Sequence, residues 1–320
     1  MVDADLYGEL KNLCRRSLPE RLDQSVSQIR SVAEGRHPVV SLSLAWREGR
    51  QPRVEKLLVR RYADPWTWWA TDGADKAQTE WTVMRWLYGL GYPIPPLYAS
   101  GASGKEPYLL KGSVSGRQVS LEDSVEAENY ARWLAVELSR LHRLTPPASV
   151  RDTLQEISLK HELARLADLA AQCANEDLEK AVTSLYRDDM EGLPLCVLHG
   201  DPRSENVLCD AQGITALVGW EDAVWGDPRW DIARAMNELY AGESRAPAAS
   251  FRQVYEDRTG WRLEDLTYWM ALTATQRWVL VEWADTEERA EQAAGLLAER
   301  EPIRERAWRA LTRLRHGDGQ

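Results

Sequence analysis

The sequence predicts an α+β fold in two lobes: a small N-terminal lobe with an antiparallel sheet and one key helix, and a larger, mostly helical C-terminal lobe. Three observations carry that expectation. Period-two alternation broken by turn signals recurs over residues 1–111. Apolar residues at helical spacing dominate from about residue 120 onward. A loop and a hairpin interrupt those helices between residues 195 and 218. The chain has 320 residues, enough for two separate cores, and the boundary is placed between lobes 1–111 and 112–320.

Residues 6–21 carry Leu6, Leu10, Leu13 and Leu18 at helical spacing and form the first predicted helix. Strands are expected at 28–33, 39–46 and 54–62, separated by the turns Glu34-Gly35-Arg36-His37-Pro38 and Arg47-Glu48-Gly49-Arg50-Gln51-Pro52. On the third strand Lys56, Leu58 and Arg60 share one face, and Leu57, Val59 and Arg61 the other. Residues 74–90 repeat Trp81, Met84, Leu87 and Tyr88 at helical spacing, with Glu80 at the head of the stripe. Gly91 to Pro96 ends that helix, and 97–101 and 107–111 are short strands. Gly112-Ser113-Val114-Ser115-Gly116 then forms a flexible connection.

In the second lobe Ser120-Leu121-Glu122-Asp123 opens a long helix through Tyr130, Leu134, Leu138 and Leu141. His142 reads as a packing or capping side chain. Residues 148–191 are helical and charged; later helices are expected at 235–240, 251–257, 263–283, 286–300 and 302–316. No internal repeat and no low-complexity tract stands out.

The balance of 40 Lys+Arg against 50 Asp+Glu gives a net charge of −10, which disfavours nucleic acid as a partner and tolerates cationic ligands. Cys14, Cys173, Cys196 and Cys209 show no C-x-x-C spacing, so no metal–cysteine site is expected. The acidic start Met1 to Asp5 has no apolar signal region, and no apolar run reaches membrane-spanning length. A cytoplasmic location without membrane attachment follows as the default. Fifteen Trp against one Phe indicate Trp in core positions, and the cluster Trp66, Trp68 and Trp69 is read as packing.

The stretch around which the chain is organised runs from Leu198 to Leu208. The apolar run 195–198 leads into His199-Gly200-Asp201, and Asn206 follows five residues after Asp201. Val207-Leu208-Cys209, the turn Asp210-Ala211-Gln212-Gly213 and residues 214–218 make a hairpin that returns toward Asn206. Alone, Asp201 could cap a turn and Asn206 close one. Their joint spacing suggests phosphoryl transfer to a hydroxyl, with Asp201 accepting the hydroxyl proton and Asn206 offering an oxygen to Mg²⁺.

His199-Gly200-Asp201, Asn206, Val218-Gly219-Trp220-Glu221, Gly226-Asp227-Pro228 and Asp231-Ile232-Ala233 together resemble the aminoglycoside phosphotransferase family of small-molecule kinases. The resemblance covers roughly residues 25–310, with 148–191 its weakest part. It implies a protein-kinase-like bilobal fold, ATP and Mg²⁺ as cofactors, and an unidentified hydroxylated small molecule as acceptor. By the same resemblance Gly35, Arg36 and His37 lie in the turn over the phosphates. Arg60, with Lys56 as runner-up, binds phosphates and pairs with Glu80, while Lys111 and Ser113 flank the hinge that reads the base. Glu282, Asp285 and Glu287 are candidates to meet a cationic acceptor, against the reading of a solvated helix face. One position departs: the metal-binding Asp of the family is Gly219 here. Glu221 is the candidate to substitute as ligand. Gly219 also keeps open a non-catalytic protein of this fold that binds nucleotide or a partner.

Overall fold

A helix followed by three consecutive antiparallel strands opens the structure, a computed structural model that describes residues 4–33, 38–62, 73–103, 106–187, 192–242, 244–286 and 299–316. The chain divides into two units, Met1–Ser115 and Gly116–Gln320. The turn residues Gly35, Arg36 and His37 and the cluster Trp66, Trp68 and Trp69 lie outside the described residues, as does most of 286–298.

In the first unit β1 (Leu22–Ala33), β2 (Val39–Glu48), β3 (Gln51–Arg61), β4 (Leu97–Ser103) and β5 (Glu106–Gly112) form one antiparallel sheet, ordered β1-β2-β3-β5-β4. Alternation puts Leu42, Leu44, Leu57 and Val59 on the face that packs against Leu10, Leu13 and Cys14 of α1 (Ala4–Ser17). The opposite face carries Arg60 and Lys111. Leu58 pairs with Lys111 and Arg60 with Leu109, so the two cations stand on the same side of adjacent strands. Helix α2 (Gly73–Gly89) buries Glu80, Val83, Met84 and Leu87. Tyr88, expected in that stripe, is exposed; the helical period counted from Glu80 reaches Val83 and Met84 and then Leu87 instead.

The second unit begins its helices at α3 (Ser124–Leu141), four residues later than Ser120. The reason is the cap: the Val125 and Glu126 backbone N–H groups donate to Asp123 Oδ1 at 2.9 and 3.0 Å. The helical stretch 148–191 resolves into α4 (Ala148–Arg151), α5 (Leu159–Gln172) and α6 (Glu176–Thr183). After the central hairpin come α7 (Arg229–Leu239), α8 (Ala246–Thr259), α9 (Leu266–Thr286) and α10 (Arg300–His316). Helix α8 packs on α3, and α9 packs between α7, α10 and α5.

Between these helices lies the polar loop. Strand β6 (Cys196–Leu198) pairs antiparallel with β9 (Val224–Gly226), fixing both ends of the segment. Strands β7 (Val207–Asp210) and β8 (Gly213–Leu217) form the predicted hairpin, turned by Asp210 Oδ1, which accepts from Gln212 N at 2.7 Å. The Val218 N–H donates to Asn206 O at 2.9 Å, so the hairpin returns Gly219 to Asn206. The loop is held from behind by Asp231 of α7, which is fully buried. Its Oδ2 accepts from His199 N at 2.7 Å and its Oδ1 from Gly200 N at 2.9 Å. His142 Nε2 lies 3.2 Å from the same Oδ2, while His142 Nδ1 lies 2.7 Å from the Tyr255 hydroxyl. Gly200 is obligatory: at φ +86° a Cβ would stand 1.9 Å from Asp222 O.

Asp231→Ala removes the acceptor of two buried N–H groups and one imidazole. At about 1–3 kcal/mol for each buried donor left unsatisfied, the variant should lose about 3 kcal/mol or more in urea unfolding at neutral pH. A loss under about 1 kcal/mol would show that other groups or water satisfy these donors.

Candidate active site

Glu80 organises the candidate nucleotide side within the first unit. Its carboxylate is fully buried, with Arg60 Nη1 3.3 Å from Oε2 and Lys111 Nζ 3.5 Å from Oε1. The Tyr62 hydroxyl donates to Oε2 at 2.5 Å. Two cations thus converge on one buried carboxylate. The expected Arg60–Glu80 pair is thus present in the geometry. Lys56, its runner-up, has an exposed side chain. The Ser113 N–H donates to Lys56 O at 2.9 Å and continues the β3–β5 ladder.

The loop of the second unit brings Asp201 and Asn206 together. Asn206 Nδ2 donates to the Asp201 carbonyl at 2.8 Å and reaches Oδ2 at 3.3 Å. The Asp201 N–H donates to His199 Nδ1 at 3.2 Å, so the imidazole proton sits on Nε2 and is given to Val218 O at 3.0 Å. Ser204 donates through N and Oγ to Glu238, at 2.8 and 2.7 Å, which fixes the turn at 204–206. Burial raises the Glu238 carboxyl, partly offset by these two donors.

Arg203 is the residue that sequence reasoning missed. Its Nε donates to Asp201 Oδ1 at 2.7 Å and its Nη2 to Oδ2 at 2.8 Å, a bidentate clamp on both carboxylate oxygens. Burial would raise the Asp201 carboxyl. Arg203, backed by Arg234 and Arg277, outweighs burial and holds it well below the usual carboxylate range. Burial and the nearby Arg203 push Arg277 down to about 10, so it stays charged at neutral pH. Arg234 donates to Gly200 O and, at 2.7 Å, to Gln276 Oε1, whose Nε2 donates to Glu162 Oε1 at 2.6 Å. This chain ties α5 to the loop through α9. An Arg two residues after an Asp was the available signal for the clamp; the Gln276 link left none.

Gly219 stands where the metal carboxylate was expected. It has φ +83°, and an added Cβ would fall 2.7 Å from Asn206 Oδ1 and 2.9 Å from Asn206 Cγ. The Asn206 amide therefore occupies the space next to the missing side chain. Glu221 and Asp222 are buried in the single turn 220–222 that follows. Among the described residues no group of three His, Cys, Asp or Glu side chains could hold a metal ion. Mg²⁺ is ordinarily held by one or two carboxylates together with substrate phosphates, and the oxygens near Gly219 that could serve are the Asn206 amide and the buried carboxylates of Glu221 and Asp222. Glu282 and Asp285 are engaged by Arg300, Asp285 Oδ2 accepting from its Nη1 at 2.7 Å; Glu287 lies outside the described residues.

Sequence comparison matches the profile of the phosphotransferase enzyme family (APH) over residues 42–266. No curated protein matches the sequence. Among solved structures the chain is similar to ethanolamine kinase from Plasmodium vivax, with TM-score 0.64 and 13% identity over 96% of this chain and 91% of that one. Choline kinase LicA from Streptococcus pneumoniae aligns with TM-score 0.61 and 17% identity over 97% and 98% of the two chains. A thermostable mutant of an aminoglycoside phosphotransferase, in ternary complex with ADP and hygromycin B, aligns with TM-score 0.60 and 15% identity over 98% and 100%. These likenesses establish the protein-kinase-like small-molecule kinase fold. Among the described residues no helix is long and apolar enough to cross a membrane.

Arg203→Ala should move two pH profiles. The folded Asp201 is depressed, so its contribution to stability is present above its unfolded pKa of about 3.9 and disappears as pH falls through the lower folded value. Breaking this buried pair should cost roughly 3 kcal/mol at pH 7, less as the pH drops below about 4. The Asp201 carboxyl itself should titrate higher in the variant, read by carboxylate NMR. An unchanged titration would show that Arg234 and Arg277 suffice to hold it down.

Gly219→Asp should not simply restore a metal ligand. A side chain at this left-handed backbone costs about 1–2 kcal/mol, and its Cβ must displace Asn206. Gly219→Ala carries the same strain without a carboxylate. Tighter Mg·ATP binding in Gly219→Asp than in Gly219→Ala would identify 219 as the absent ligand position; equal binding would refute that role.

Proposed function

This chain belongs to the phosphotransferase enzyme family, and from that premise we propose that it transfers a phosphoryl group from ATP to a hydroxyl of a small molecule. The observation that carries the proposal is the pairing of Asp201 with Asn206 on one anchored loop, the amide of Asn206 fixing the carboxylate. Asp201 accepts a hydrogen bond from the acceptor hydroxyl and aims its oxygen at the γ-phosphorus. Because Arg203 depresses the carboxylate, Asp201 is a weak base before transfer begins. Phosphoryl transfer passes through a loose transition state, so the proton need only leave as the new O–P bond completes. Asp201 receives it then, and ADP departs. Arg60 and Lys111 hold nucleotide phosphates, with Glu80 and Tyr62 setting their positions. The donor assignment is supported by the ADP complex of one structural neighbour, and the acceptor class by the choline, ethanolamine and hygromycin B names of all three. The natural setting for this reaction is the cytoplasm, where ATP is supplied.

A second reading follows from Gly219. Without a carboxylate there, the same fold would bind nucleotide and transfer nothing, acting as a nucleotide-dependent partner of another molecule. Turnover separates the two. An acceptor screen scored by ADP formation should find a substrate. Asp201→Asn should then lower the rate on the order of 10²–10⁴-fold and leave ATP affinity nearly unchanged. Tight ATP binding with no ADP formed from any acceptor would favour the second reading. A rate indifferent to Asp201→Asn would overturn the role given to Asp201.

A further inference from the structure

We propose a separate oxyanion site in the helical unit, built on Tyr240 and the guanidiniums of Arg245 and Arg313. Tyr240 caps the C-terminal end of α7, Arg245 immediately precedes α8, and Arg313 lies on α10. The Arg245 and Arg313 guanidinium carbons stand 5.4 and 5.1 Å from the centroid of the same Tyr240 ring. Between them lies a cavity of about 40 Å³, walled by Met236 and Met270.

Three features of this cavity call for an anion. The first is charge. The chain carries a net −10, yet two guanidiniums line this cavity, and among the described residues no carboxylate pairs with either. Arg252 adds a third positive group at the rim, although it is already committed to Glu256, at 3.1 Å. Stacking on Tyr240 offsets some of the repulsion but neutralises no charge. The second is size. A cavity of about 40 Å³ holds roughly three waters, the scale of a tetrahedral oxyanion. The third is donor chemistry. Planar guanidiniums present paired N–H groups that match phosphate oxygens.

The ligand class is a phosphate oxyanion, either inorganic phosphate or the terminal group of a small phosphomonoester. None of the residues assigned to phosphotransfer lines this cavity, so the site stands or falls independently of the proposed activity.

The test is calorimetric titration of the full chain with inorganic phosphate and, separately, with glycerol 3-phosphate, without nucleotide. At least one should show saturable binding below about 10 mM. Inorganic phosphate binding more tightly identifies a free-anion site, and glycerol 3-phosphate binding more tightly a phosphomonoester site. Losing one charge-assisted contact should weaken binding about tenfold or more in both Arg245→Gln and Arg313→Ala. Arg313→Lys, which keeps the charge, should recover part of the loss. Arg245 is exposed, so Arg245→Gln remains a sound test if Arg313→Ala fails to fold. Arg60→Gln should leave this binding intact. The proposal is overturned if neither ligand saturates below about 10 mM. It is also overturned if binding survives Arg245→Gln unchanged or disappears in Arg60→Gln.

Discussion

The helical unit depends on one buried carboxylate. Asp231 accepts the two backbone N–H groups that open the loop, and it does so from a helix whose start is fixed by Asp227, which accepts Arg229 N at 2.9 Å. His142 and Tyr255 complete the network from α3 and α8. Burial would raise the Asp231 carboxyl, but the surrounding donors, His142 first among them, keep it low and ionised. Every functional atom of the loop is placed relative to this anchor. The position of Asp201 is therefore a property of three helices packed together, and loop sequence alone would not hold it.

Around that anchor guanidiniums and carboxylates are interleaved, Arg234 facing Asp201, Asp222, Asp231 and Glu162. Arg203 clamps Asp201, while Arg234 and Arg277 stand behind the pair. The clamp has two opposed consequences. It stabilises the ionised carboxylate in a buried site, where an uncompensated charge would be costly. It also weakens that carboxylate as a base, which fits a reaction whose transition state is loose and whose acceptor needs aim more than activation. The link from Arg234 through Gln276 to Glu162 extends this arrangement to α5. A change in that helix can therefore reach the loop without touching any ligand.

Much of this was legible in the residues. Spacing alone placed Asp201, Asn206 and the hairpin, and the turn pairs Asp210 with Gly213 and Cys209 with Ile214; a one-residue register shift between Leu208 and Cys209, which the spacing did not show, then pairs Val207 with Leu217. Period-two alternation put Arg60 on one face with Lys56 and Leu58; the choice of Arg60 and its partner Glu80 came from the family resemblance. Lys111 was read as a hinge residue; its pairing with Glu80 depends on β5 lying next to β3, a long-range neighbour that no local pattern reveals. His142 was read as a capping side chain, and it does end α3, yet its larger part is to hold Asp231, 89 residues away in sequence. The Arg203 clamp is local, but a side-chain pair two residues apart in a loop has many geometries. The extended backbone at Arg203, φ −95° and ψ 162°, accompanies the bidentate one.

A glycine at 219 would bear on binding and on transfer in opposite directions. A carboxylate at 219 would ligate a cation, and without that cation it would repel the phosphates of a nucleotide. Its absence removes the ligand and the repulsion together. Asn206 then settles into the vacated space, with its oxygen near the position a Cβ would take and its nitrogen on Asp201. On the reading in which the chain binds nucleotide and transfers nothing, nucleotide affinity would persist at low divalent cation. The transfer step would lose a group that neutralises charge only as the phosphoryl moves, and such differential stabilisation is what lowers a barrier. Binding and turnover would then be uncoupled at a single backbone position, and its left-handed conformation makes that position hard to refill.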